Sequence, residues 1–88
     1  MLTLNGLAKL IEEAGEVTQV AGKMIAYPDG LHPDGMGHLK TRLEDELADL
    51  FAASSVVAIL HGLSAERIEK RAEQKKALFL KWHEDKEC

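Results

Sequence analysis

Apolar residues recur at spacings of three and four through almost the whole of this chain, a period that suits helices and little else. Leu7, Leu10, Ile11, Ala14, Val17, Ala21, Met24 and Ile25 follow it first. Leu43, Leu47, Leu50, Phe51, Ser54, Val57 and Ala58 follow it next, and Ile68, Ala72, Phe79 and Trp82 last. No stretch alternates apolar and polar residues as a half-buried strand would. The chain is therefore predicted to be all-α, a single small domain over residues 1–88 with helices at about 5–26, 38–61 and 64–84.

The breaks between helices are equally legible. Pro28-Asp29-Gly30 and Pro33-Asp34-Gly35 are two successive turn signals, and each proline pushes the residue before it, Tyr27 or His32, out of helical space. Residues 27–37 read as a connecting loop, with a lid or substrate-contacting segment as the alternative. Asn5 or Thr3 is expected to cap the first helix. Gly62 should stop the second and Ser64 cap the third, giving a tight helical hairpin. Gly15 and Gly22 lie inside the first helix, each costing about 1 kcal/mol against alanine, which points to a crowded face there.

Fifteen acidic residues against eleven Lys and Arg leave a net charge of −4, the wrong field for a general nucleic-acid binder. Seven of those fifteen acids crowd into two short segments, Glu12, Glu13 and Glu16, then Glu44, Asp45, Glu46 and Asp49. Acids three or four apart on a helix repel by about 0.2–0.5 kcal/mol per pair. Either segment alone reads best as a solvated face. Both together, each bordering an apolar stripe on consecutive helices, predict facing carboxylates whose repulsion a divalent cation offsets. Mg²⁺, or Mn²⁺ in its place, fits such oxygen ligands and retains waters that substrate phosphates can displace.

Other metal and phosphate chemistries lack their residues. Glu-x-x-His pairs of a di-iron bundle, the His-Glu-x-x-His of zinc hydrolases and a Gly-x-x-x-x-Gly-Lys loop are all absent. His32 and His38 read as exposed loop residues and His61 as a helix C-terminal residue. Lys9 and Lys23 share the flank of the first acids. Arg42 precedes Glu46 by one turn and could pair with the acids or reach an anionic ligand. Arg67, Lys70, Arg71, Lys75, Lys76 and Lys81 make the third helix basic, a solvated face or in part a phosphate contact. Cys88 is the only cysteine, so neither a disulfide nor a zinc site is expected. The first residues lack a signal-peptide pattern, and the apolar run 50–60 is too short to span a bilayer, so a cytoplasmic protein is expected. Alanines are many and aromatics few (Tyr27, Phe51, Phe79, Trp82), so one copy would have a thin core and burial against further copies is expected.

Glu12-Glu13-Ala14-Gly15-Glu16 followed by Glu46-Leu47-Ala48-Asp49 resembles the EExxE…ExxD signature of MazG-like nucleotide pyrophosphohydrolases, the all-α NTP pyrophosphatase superfamily. Lys9-Leu10-Ile11 before the first motif, Leu50-Phe51 after the second and Leu60-His61-Gly62-Leu63-Ser64 beyond it are similar too, so the likeness runs from about Leu7 to Trp82. The resemblance implies a Mg²⁺-dependent enzyme that cleaves (deoxy)nucleoside triphosphates to monophosphate and pyrophosphate, working as a homodimer or homotetramer. It matches Glu13, Glu16, Glu46 and Asp49 to metal-binding acids. Glu12 matches the first motif acid, which binds a further metal or orients the attacking water. Lys23, Arg42 and Lys75 are the candidate substrate contacts. The gap between motifs is long, and the chain begins almost at the first motif, where many relatives carry a helix that helps hold the base. The loop or a neighbouring subunit is expected to supply that pocket. Two other readings compete. One is a phosphoribosyl-ATP pyrophosphohydrolase of histidine biosynthesis, which the loop and the Lys-Trp-rich end fit less well. The other is a non-catalytic helical oligomer or interaction module.

Overall fold

Where helices can begin and end is set by a few residues with special backbone geometry. A computed structural model describes residues 5–86, without the side chain of Lys86. It contains α1 (Leu7–Ala26), α2 (Leu39–Leu60) and α3 (Ala65–Lys86), with no strand among the described residues. The chain is all-α, and none of these helices is long and apolar enough to cross a membrane.

The cap of α1 differs from expectation. Asn5 and Gly6 both take positive φ, 53° and 85°, so Gly6 is the N-cap and no side chain caps the helix. Thr3, the other expected cap, lies outside the described residues. A Cβ on Gly6 would touch Val57 and Leu60, so glycine lets the chain enter close under the end of α2. At its other end α1 stops at Tyr27, which Pro28 holds out of helical space (φ −129°).

Both Pro-Asp-Gly triplets are turns of one design. The Asp29 carboxylate accepts the Leu31 N–H and the Asp34 carboxylate accepts the Met36 N–H, each at 3.0 Å, and the glycine after each aspartate takes positive φ. Gly30 is buried with φ 84°, and the His38 ring fills the space a Cβ would need. Its carbonyl accepts the Leu39 N–H at 2.9 Å, which ties the loop to the start of α2. His38 is more than a loop residue: its Nδ1 accepts the Lys40 N–H as the N-cap of α2. His32 is half-buried rather than exposed, edge-on to Tyr27 with ring centroids 4.8 Å apart.

The Gly62 stop of α2 and the Ser64 cap of α3 are as predicted. Gly62 takes φ 64°, with its N–H on the Ile59 carbonyl and the Leu63 N–H on the Ala58 carbonyl, the two bonds of a Schellman motif. Ser64 Oγ accepts the Arg67 N–H and caps α3. The turn is tight, yet the hairpin is not closed, because α3 diverges and packs along neither α1 nor α2. Ile68, Phe79 and Trp82, which the period places on one apolar face of α3, are 49 %, 54 % and 49 % exposed.

The packed seam is therefore the antiparallel pair α1–α2. Its fully inward residues are Val20, Leu39, Ala53 and Val57, together with the carboxylate residue Glu13. Of these four apolar residues only Val57 lies on the stripes read from periodicity; Val20, Leu39 and Ala53 do not, so the seam is turned away from those stripes. Ile11, Ile25, Leu47 and Phe51 lie on them but stay exposed, because one neighbouring helix covers only a narrow strip of each surface. Gly15 and Gly22 face open space, so the crowding inferred from them is not made by the described residues. The molecule is flat, 40 × 36 × 15 Å, and its 15.6 Å radius of gyration exceeds the ~12 Å of a compact domain of this length.

With so few buried apolar side chains, each matters. Leu39, fully buried, should lose about 2–5 kcal/mol on substitution by alanine, visible as a large drop in urea midpoint. Gly30→Ala should lose at least about 1–2 kcal/mol through its left-handed backbone alone. Unchanged midpoints for both would refute this account of the seam and loop.

Candidate metal centre

Register brings the acidic segments together. At one end of the seam Gly6 lies under Val57 and Leu60, and His61 Nε2 is 3.2 Å from the Asn5 carbonyl oxygen. At the other end Lys23 and Arg42 converge on Asp34. Between them, carboxylate oxygens of Glu13, Glu46 and Asp49 lie within 4.8 Å of one another. Glu13 is buried at 8 % exposure, Glu46 is half-buried and Asp49 is exposed, so the cluster opens outward from the seam.

The remaining motif acids stand apart. Glu16 is outside the three-oxygen cluster, although its charge acts on Glu46. Glu12 points to the outer side and bonds Lys9 Nζ at 2.6 Å, both groups being exposed. Glu44 and Asp45 are exposed.

Burial is the main cause that pushes the Glu46 carboxyl above its ordinary value; the charges of Glu16, Asp49 and Glu13 add to it, as does its contact with Asp49. A folded-state value above the unfolded one means the folded chain binds this proton more tightly. The stabilising effect is therefore full in acid and is lost as pH rises from the ordinary 4.5 through the raised value. At neutral pH the cluster is a source of repulsion. The nearby cations do not cancel it by contact. The hydrogen bond to Glu12, followed by the charges of Glu12, Glu13 and Asp49, raises the Lys9 pKa, but its ammonium sits on Glu12. Among the described residues no ion pair is made to Glu13, Glu46 or Asp49.

An open cleft of ≈ 450 Å³ adjoins Glu13 and Asp49, walled by Gly6, Lys9, Ala52, Ala53 and Val56. Converging carboxylates with no imidazole or thiol suit a hard cation such as Mg²⁺ or Mn²⁺. Of the candidate substrate contacts, Lys23 and Arg42 come together at the loop end of the seam, while Lys75 is half-buried on α3, away from it. Asp34 binds both Lys23 and Arg42, although the Pro-Asp-Gly pattern marks it only as a turn former. Its signal was a loop carboxylate between a lysine near one helix end and an arginine near the next helix start. Neither a family model, a curated protein nor a solved structure matches the chain. Fold and site define an all-α protein with a carboxylate cluster on a helix–helix seam.

Glu46→Gln removes one member of a self-repelling cluster. The metal-free variant should melt higher than the wild type at pH 7. Millimolar Mg²⁺ or Mn²⁺ should raise the wild-type melting temperature and leave the variant's unchanged. An equal metal-induced shift in both proteins would rule the cluster out as the binding site.

Proposed function

We propose that this protein is a Mg²⁺-dependent pyrophosphohydrolase of (deoxy)nucleoside triphosphates, a MazG-like enzyme working as a homo-oligomer. The observation that carries the reading is the convergence of Glu13, Glu46 and Asp49 beside a cleft, with no ion pair to any of them from the described residues. A divalent cation held there supplies charge neutralisation of the phosphate chain and lowers the pKa of water.

The chain's own residues do the positioning. Glu13 is fixed by burial in the seam, while Glu46 and Asp49 on α2 present their carboxylates opposite it. Glu16, close enough to act on Glu46, is a fourth carboxylate available for a cation or for a proton from water. Glu12, tied to Lys9 beside the cleft, has the more peripheral place. The small apolar walls of Gly6, Ala52, Ala53 and Val56 leave room for a flat ring, which makes the cleft the candidate base pocket. Catalysis of phosphoryl transfer is mostly placement and charge stabilisation, and this arrangement offers both. Incubation with a panel of canonical and modified nucleoside triphosphates and Mg²⁺ should release pyrophosphate from at least one. Asp49→Asn should then lose about 100-fold or more in turnover. A folded protein that releases no pyrophosphate from any of them would sink the proposal.

The oligomer is supported by what one copy leaves uncovered. Among the described residues of this 9.7 kDa chain four apolar side chains are buried, and no second layer of helices lies over the α1–α2 pair. Phe51, Ile59, Leu63 and Ile68 line an open groove between α2 and α3. A second copy brings the same apolar faces and makes a self-complementary contact. Lys75 reaches a substrate only if α3 of one copy lies over the seam of another. Sedimentation should give at least twice 9.7 kDa, and Ile59→Asp should yield a smaller, less stable species. A wild type that sediments as a 9.7 kDa monomer at micromolar concentration would remove this part of the proposal.

A further inference from the structure

The loop end of the seam holds a second charged constellation. Lys23 Nζ donates to Asp34 Oδ2 at 3.1 Å, and Arg42 Nη1 donates to both Asp34 carboxylate oxygens at 3.1 Å. The Met36 N–H donates to Oδ1 at 3.0 Å, while the Asp34 N–H donates to His32 Nδ1. The side chains of Lys23, Asp34 and Arg42 are 24 %, 24 % and 19 % exposed. His32 Nδ1 lies 3.0 Å from Oδ2 as well, and the two permanent cations Lys23 and Arg42 share this one half-buried carboxylate, leaving an excess positive charge.

Holding the loop does not require this arrangement. The first triplet already anchors it through the Gly30 N–H to the Tyr27 carbonyl and the Leu39 N–H to the Gly30 carbonyl, with the His38 ring over Gly30. Asp34 instead rides on an unpacked stretch. Met36 is 70 % exposed, and Gly35 and Gly37, at φ 70° and 101°, have open space around them. Displacing that stretch would break the Gly35 N–H bond to the His32 carbonyl and leave the bonds of the Gly30 anchor in place. Arg42 and Lys23 sit on the two helices that carry the acidic cluster. Arg42 is one turn from Glu46, about 6 Å of helix rise, a separation that linked phosphate groups bridge. Arg42 meets Asp34 through a single nitrogen, whereas its planar fork suits two-point contact with phosphate oxygens.

We propose that Lys23 and Arg42 form a subsite for a phosphate group, that Asp34 is its intramolecular occupant, and that residues 33–37 are a latch which a polyphosphate ligand displaces. The proposal rests on the pyrophosphohydrolase reading only for the identity of the anion. The Met36 N–H first, then Lys23 and Arg42, hold the Asp34 carboxyl well below the usual carboxylate range. The latch therefore stays charged at neutral pH and yields to a competing anion rather than to mild acid.

Inorganic tripolyphosphate in EDTA, titrated calorimetrically, tests this without metal or turnover. Asp34→Asn should bind it about tenfold more tightly than the wild type, as when a competent state populated to about one part in ten becomes the sole state. Adding Arg42→Gln should abolish the gain. In the wild type, saturating tripolyphosphate should speed hydrogen exchange at the Met36 amide, and sodium chloride of equal ionic strength should not. The Leu39 amide should stay protected. A folded Asp34→Asn variant that binds no tighter would overturn the proposal, as would a gain that survives Arg42→Gln. Should Asp34→Asn fail to fold, unchanged Met36 exchange in the saturated wild type overturns it. Because no step needs metal or hydrolysis, failure here leaves the nucleotide-panel result standing, and the reverse also holds.

Discussion

A carboxylate packed into a helix–helix seam is the constraint on which the rest of this structure depends. Glu13 is nearly as buried as Val57, although it borders the apolar stripe of α1 rather than lying on it. Charged groups are seldom buried unless paired, and here the opposing helix offers two more acids rather than a base. The seam is thus less stable than its geometry allows, and the deficit is concentrated where Glu46 holds its proton above the ordinary range. Such a conflict between local stability and an open charge cluster is the usual mark of a functional position.

The cations explain why the conflict persists. Lys9 bonds Glu12 one turn away on the same helix, and Lys23 and Arg42 meet the carboxylate of the loop between their helices. Each pairing is short-range in sequence or held by a turn. Together they leave the acidic cluster in the middle of the seam without a paired cation among the described residues. The two Pro-Asp-Gly triplets share their backbone design yet differ in what surrounds them. Gly30 of the first is buried under the His38 ring, whereas Asp34 of the second reaches back to both helices.

The flat shape follows from the same economy of residues. One seam of two helices uses Val20, Leu39, Ala53 and Val57, and nothing of comparable size is buried among the described side chains of α3. The splay of α3 leaves Phe79 and Trp82 against each other at 5.4 Å instead of against α1 or α2. A layer of helices exposed on its broad apolar side meets the ordinary condition for association with another layer.

Much of this was decided by sequence alone. The 3.6-residue period made the chain all-α, the prolines and Gly62 placed the breaks to within a residue or two, and the two acidic segments were legible as a pair because each borders an apolar stripe. These are local properties, fixed by backbone sterics and side-chain direction. Tertiary structure decided what depends on register and on which neighbour is present. It drew Glu13, Glu46 and Asp49 together and left Glu16 and Glu12 at increasing remove. It gave Lys23 and Arg42 to Asp34, and it left Ile11, Phe51 and Trp82 uncovered. Periodicity names a face of a helix; only packing shows how much of that face one partner helix can cover.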